Sequence, residues 1–131
     1  MREIKILVAE DNPFISDLVR EGLKTLLKRA PQGSVGLKLD SANDGQRALE
    51  LLDEGTYDLL ICDVMMPVLD GPELIRRLRA HPRLKATKVI AMSAGDAEQG
   101  KRALAAGADL FLEKPMPLAK LRSALFSLLN L

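Results

Sequence analysis

Short apolar runs alternate along this chain with longer segments in which apolar residues recur every three or four positions. The first run, "IKILVA" at 4–9, is rich in β-branched residues and stops at Glu10-Asp11-Asn12-Pro13, so it reads as a buried strand. A helix follows, with Asn12 as N-cap and Pro13 at the first helical position. Phe14, Ile15, Leu18, Val19, Leu23, Leu26 and Leu27 recur at helical spacing to about Arg29, where "APQGSVG" breaks the pattern. The alternation then repeats. Strand 37–42, a turn at Asp44-Gly45, helix 46–54, strand 57–63 and helix 72–80 lead into strand 88–94. An alanine-rich helix at 97–106, strand 109–114 and a final helix at 117–129 complete it, the last with Leu118, Leu121, Leu125 and Leu128 on one face.

Five strands alternating with five helices imply parallel βαβ units with right-handed crossovers, a doubly wound α/β fold. The runs at 4–9 and 58–62 show little in-and-out alternation, as central strands covered on both faces should. The second and fifth strands are more mixed and suit the edges. The flavodoxin-like (βα)5 order 2-1-3-4-5 follows, with its switch point between strands 1 and 3, where ligands bind at the carboxyl ends.

Composition narrows the class. The 131 residues suit one domain spanning 1–131, and 47% hydrophobic against 28% charged residues argues against disorder. Nineteen Lys and Arg against eighteen Asp and Glu leave a formal charge of +1, which gives no footprint for nucleic acid and no attraction to an anionic membrane. The one cysteine, Cys62, has no internal disulfide partner. The charged start "MREIKILVAEDN" does not read as a signal peptide, and no apolar run has the length of a membrane span; a cytoplasmic protein is expected.

The polar residues at the strand ends carry the chemistry. Glu10 and Asp11 end strand 1, Asp63 ends strand 3, Ser93 ends strand 4 and Lys114 ends strand 5, all on the edge that carries the site of an open α/β sheet. Three carboxylates so close repel, and Lys114 supplies a single compensating charge. Hard oxygen ligands with spare negative charge suit Mg²⁺, which commonly joins carboxylates to a phosphate. A carboxylate beside such an ion can attack phosphorus and form an acyl phosphate, with Asp63 as the nucleophile. The Lys114 ammonium, the Ser93 hydroxyl and the ion would then share the phosphoryl oxygens. Taken singly, each residue has an ordinary explanation. Glu10-Asp11 reads as a helix-start charge pair, Asp63 as a cap, Ser93 as a turn residue, Lys114 as a solvated lysine and Phe111 as core. Their convergence on one crevice favours the chemical reading.

"VAEDN", "ICDVMMPVLDG", "AMSA" and "EKP", in this order and spacing, resemble the receiver (REC) domain of bacterial two-component response regulators, of which the chemotaxis regulator is one kind; the likeness spans the whole chain. The resemblance implies a phosphorylation-activated signalling switch in which Asp63 accepts a phosphoryl group from the phosphohistidine of a sensor histidine kinase or histidine phosphotransfer protein. It implies Glu10, Asp11, Asp63 and the Met65 backbone carbonyl around Mg²⁺, Ser93 and Lys114 on the phosphoryl group, Phe111 as the switch aromatic, and a cis Lys114-Pro115 peptide. Glu10, Ser93 and Phe111 stand where Asp, Thr and Tyr are commoner, and none of these changes removes a required functional group.

Such a protein catalyses its own phosphorylation and dephosphorylation and is not an enzyme acting on a separate substrate. A haloacid-dehalogenase-type phosphatase would also use an Asp nucleophile and Mg²⁺, but its Asp-x-Asp signature is absent because Asp11 is followed by Asn12-Pro13. A degenerate receiver that only binds partners is disfavoured by the intact Asp63, Ser93 and Lys114. Residues 97–129 are the expected output face, toward a homodimer, an output domain or a partner protein. Arg76, Arg77, Arg79, Arg83, Lys85 and Lys88 read as a solvated helix face and loop, Met65-Met66 as packing, and Asp70-Gly71 as a turn.

Overall fold

Strand residues with alternating side-chain directions are buried on both sides here. In β1 (Arg2–Ala9), Ile4, Ile6 and Val8 enter one core while Leu7 and Ala9 enter the other, and β3 (Leu59–Asp63) divides Leu59 and Ile61 from Leu60 and Cys62 in the same way. The computed structural model describes residues 2–28, 35–95, 97–114 and 116–131. With β2 (Val35–Ala42), β4 (Lys88–Ser93) and β5 (Leu110–Glu113), these strands form one parallel sheet in the order β2-β1-β3-β4-β5. The expected doubly wound, flavodoxin-like order is therefore the observed one.

The helices α1 (Pro13–Lys28) and α5 (Leu118–Leu129) cover the Ile4 face, and α2 (Gly45–Glu54), α3 (Gly71–Ala80) and α4 (Ala97–Ala106) cover the Leu7 face. Each fully buried Leu or Ile contributes roughly 1.5–3 kcal/mol, so two cores closing on one sheet hold its strand ends in fixed register. The anchors are unequal. Helix α3 buries Leu74, Ile75 and Leu78, whereas α4 buries Gly100, Ala103 and Ala106 and so has little apolar area to hold it.

Two expectations about helix faces are corrected. Phe14 and Leu18 belong to the apolar spacing of α1, yet they are 80% and 69% exposed. The buried stripe centres on Val19, Leu23, Leu26 and Leu27, and at 100° per residue Phe14 and Leu18 fall about 140° and 100° from Val19. In α5 the buried set is Leu121, Ala124, Leu125 and Leu129, leaving Leu118 exposed at the helix start. The Asn12 cap is as expected: its side-chain oxygen accepts from the Phe14 and Ile15 N–H groups at 2.9 and 3.3 Å. Most of the break after α1, and the Lys114-Pro115 peptide, lie outside the described residues.

The basic residues also differ from the expected solvated face. Arg76 and Arg77 pair with Glu73, but Arg79 donates to the carbonyls of Gly107, Lys85 and Thr87 and to the Asp109 carboxylate. Arg83 donates to the Leu52, Asp53 and Gly55 carbonyls at the end of α2. Both therefore act as clamps on backbone carbonyls, Arg83 at the end of α2 and Arg79 after α4 and before β4.

Candidate functional site

The carboxyl ends of β1, β3, β4 and β5 bring the predicted residues together. Backbone bonds extend the sheet past its strands: Glu10 N–H donates to Ala42 O at 3.0 Å, Val64 N–H to Met92 O at 2.9 Å and Lys114 N–H to Ser93 O at 2.9 Å. These bonds fix Glu10, Asp63, Ser93 and Lys114 around one crevice. Beneath it, Gly71 N–H donates to Val64 O at 2.9 Å, and a Cβ on Gly71 would stand 2.4 Å from the Asp63 carbonyl oxygen. Only glycine permits that approach.

Glu10, Asp63 and Ser93 are buried, whereas Asp11 is exposed at the mouth. Ligand oxygens of Glu10, Asp11 and Asp63 all lie within 4.8 Å of one another. The Lys114 ammonium sits 2.5 Å from Glu10 Oε1 and 2.9 Å from Asp63 Oδ2. Glu10 Oε2 accepts from Asn12 N–H at 3.0 Å, and Asp63 Oδ1 from Met65 N–H at 3.2 Å. Burial pushes the Glu10 carboxyl up to about 7, against the lowering effect of Lys114 and the Asn12 N–H, with Asp11 and Asp63 adding to the rise. Burial by itself would lower the Lys114 ammonium, but its bonds to Asp63 and Glu10 outweigh that and raise it. One ammonium thus serves two buried carboxylates while a third stands beside them. The spare negative charge and all-oxygen donor set fit a hard divalent cation.

The remaining site residues flank this centre. Ser93 Oγ accepts from Gly95 N–H at 2.9 Å, which ties the hydroxyl to the turn leading into α4. Phe111, opposite Ala91 in the β4–β5 register, packs partly buried against the core under α4. The loop after Asp63 contains a γ-turn in which Leu69 N–H donates to Pro67 O at 2.8 Å, with Val68 at φ 72°. A β-branched residue at positive φ is strained, and no sequence signal beyond Pro67 foretold it. Asp70 caps α3 by accepting from Glu73 N–H at 2.9 Å, and its second oxygen accepts from Arg102 of α4 at 3.1 Å.

Sequence reasoning missed the rim. Phe14, Leu18, Met65, Val68 and Leu118 are large, exposed and apolar, and all lie in segments that follow β1, β3 and β5 on the carboxyl side. A groove of about 420 Å³ runs between α1 and α5, lined by Leu18, Gly22, Met116 and Leu118 and reaching Lys114. The angular offset of Phe14 and Leu18 from the α1 stripe was the available signal.

The model of the response regulator receiver domain matches residues 6–126. The chain belongs to that family. Receiver domains are phosphorylation-activated signalling modules of two-component systems, and this one is similar to the Pseudomonas aeruginosa transcriptional activator protein PfeR, at 36% identity over 127 residues covering 96% of this chain and 38% of the activator. The chain spans about half or less of the length of the curated relatives it matches. Among solved receiver folds, a response regulator from Chloroflexus aurantiacus has a TM-score of 0.87 at 25% identity, covering 99% of this chain and 100% of its own. The receiver domain of the Pseudomonas aeruginosa sensor histidine kinase PA1611, solved with magnesium coordinated in its active-site cleft, has a TM-score of 0.83 at 30% identity, covering 98% of this chain and 99% of its own. No helix among the described residues of this receiver is long and apolar enough to cross a membrane.

Proposed function

We propose that residues 1–131 form one receiver domain in which Asp63 is the phosphoacceptor, taking its phosphoryl group from the phosphohistidine of a sensor histidine kinase or histidine phosphotransfer protein. The observation that carries this reading is the Lys114 ammonium held between Asp63 Oδ2 and Glu10 Oε1, beside the exposed Asp11. A carboxylate oxygen of Asp63 attacks phosphorus, the phosphorus–nitrogen bond breaks, and its electron pair returns to the donor imidazole. Glu10, Asp11, Asp63 and the Met65 carbonyl would hold Mg²⁺, which when bound neutralises charge on the transferring group. Lys114 and the Met65 N–H orient the acceptor carboxylate, and Lys114 and the Ser93 hydroxyl take up phosphoryl oxygens. The receiver supplies this chemistry to itself without turning over a separate substrate, and it also promotes its own dephosphorylation, in which water attacks phosphorus and the Asp63 carboxylate leaves.

An imidazole reaches Asp63 only if the protein bearing it covers the crevice. The apolar rim of Phe14, Leu18, Met65, Val68 and Leu118 supports such a docking face, since burying it on a partner removes large apolar side chains from water. Output then passes through residues 97–129, where weakly anchored α4 adjoins both Ser93 and Phe111. Moving a two-state element from 1:99 to 99:1 takes about 5.5 kcal/mol, a total within reach of several charge-assisted bonds to one phosphoryl group. The test is intact mass after incubation with acetyl phosphate and Mg²⁺. Wild type should gain one phosphoryl group and Asp63→Asn none; an equal gain on the variant would place the acceptor elsewhere.

A further inference from the structure

Helix α4 carries a glycine where helix chemistry argues against one. Gly100 is the fourth residue of this ten-residue helix and is buried. A glycine inside a helix lowers the folding equilibrium about two- to fivefold relative to alanine. The cost has a structural counterpart: a Cβ at Gly100 would stand 2.8, 3.0 and 3.2 Å from Cδ2, Cε2 and Cγ of Phe111. Three atoms of one ring lie against the bare backbone of α4, so the ring occupies the place of the missing side chain.

The rest of α4 is tethered at its two ends. Beyond the C-terminal end, the Arg79 guanidinium holds Gly107 O at 3.0 and 2.9 Å. Before the N-terminal end, Gly95 N–H is held by Ser93 Oγ. Between these points Arg102 reaches the Asp70 cap of α3, and Phe111 seats on Gly100. Phe111 has no hydroxyl, so the fit of its ring against α4 locates it.

We propose that Gly100 is a positioning residue of the switch. The notch it leaves in α4 seats the Phe111 ring, so that ring position and α4 position change together when Asp63 is phosphorylated. This rests on the reading of Asp63, Ser93 and Phe111 given above. The clamped Gly107 end acts as pivot, the Ser93 end receives the signal, and the notch transmits it to β5.

The test combines a mutant cycle with a phosphoryl mimic. In the Phe111→Ala background, Gly100→Ala should raise the folding equilibrium about two- to fivefold by helix propensity. In wild type the same substitution should lower it tenfold or more, because the new methyl group meets the ring. The same gain in both backgrounds would overturn the seat. Should Gly100→Ala fail to fold, restored folding in the Gly100→Ala/Phe111→Ala protein supports the seat, and failure of that protein to fold where Phe111→Ala alone folds overturns it. The second readout is amide chemical-shift mapping with and without beryllofluoride. Gly100→Ala should keep the wild-type response at 63–71 and lose more than half of it at 97–106. An unchanged response at 97–106 would reduce Gly100 to packing alone and overturn its role in the switch while leaving Asp63 as acceptor. A wild type silent at 63–71 would instead remove the phosphoacceptor reading, and the proposal with it.

Discussion

Lys114 Nζ lies 2.9 Å from Asp63 Oδ2, although 51 positions separate the two residues in the chain. The same ammonium meets Glu10 at 2.5 Å, so a single cation joins the ends of β1, β3 and β5. The energetic imbalance of the site follows from that arrangement, because three carboxylates share it.

Glu10 yields a pH dependence. Its carboxyl is raised from 4.5 to about 7 in the fold, so the folded state binds that proton more tightly than the unfolded chain. The associated stability is fully present below pH 4.5 and is lost as pH rises toward 7. Without divalent ions, the denaturation midpoint of Glu10→Gln should gain on that of wild type across this window; a constant difference between the two would refute the assignment.

Asp11 should matter to the cation more than to the fold. Exposed at the mouth, it adds charge without filling core. Asp11→Asn should weaken Mg²⁺ binding about tenfold or more, equivalent to ~1.4 kcal/mol, with little change in stability. Superimposable titration curves for the two proteins would misplace the site.

Ser93→Ala should separate acceptance from transmission. Asp63 and Lys114 are untouched, so acetyl phosphate should still label the protein. The amide shifts that beryllofluoride induces across 97–129 should shrink, because the hydroxyl joining Asp63's surroundings to Gly95 is gone. Equal shifts in both proteins would remove Ser93 from the coupling.

The rim can be tested against two phosphodonors. Phe14→Ser and Leu18→Ser alter exposed positions, so stability should move by no more than about 0.5 kcal/mol. Transfer from a phosphohistidine-bearing protein should slow markedly, while labelling by acetyl phosphate, which needs no docking face, should not. Parallel loss with both donors would point to damage at Asp63 instead.

Arg79→Ala should cost about 2–3 kcal/mol in denaturant unfolding, since its guanidinium serves carbonyls of Gly107, Lys85 and Thr87 as well as Asp109. Labelling of Asp63 per folded molecule should persist, because none of these groups borders the crevice.

The sequence by itself determined the alternation of strands and helices and the carboxyl-edge location of Glu10, Asp11, Asp63, Ser93 and Lys114. These depend on local periodicity and on the general rule that parallel sheets carry their sites at strand ends. The triad and its lysine were legible because each residue stands within two positions of the end of an apolar run. Tertiary structure decided the rest. Phe14 and Leu18 stand about 140° and 100° from Val19 around α1, an offset the sequence already carries, but which arc of α1 meets the sheet depends on the packing of α1 against it, and that packing leaves both residues at the rim. Arg79 and Arg83 look like solvated bases until the carbonyls they clamp, contributed by distant segments, arrive beside them. Gly100 carries no signal except an apparent weakness in a helix. Its meaning emerges only when β5 brings the ring of Phe111 against the space where a side chain would stand, because the fit depends on two surfaces that the chain brings together by folding.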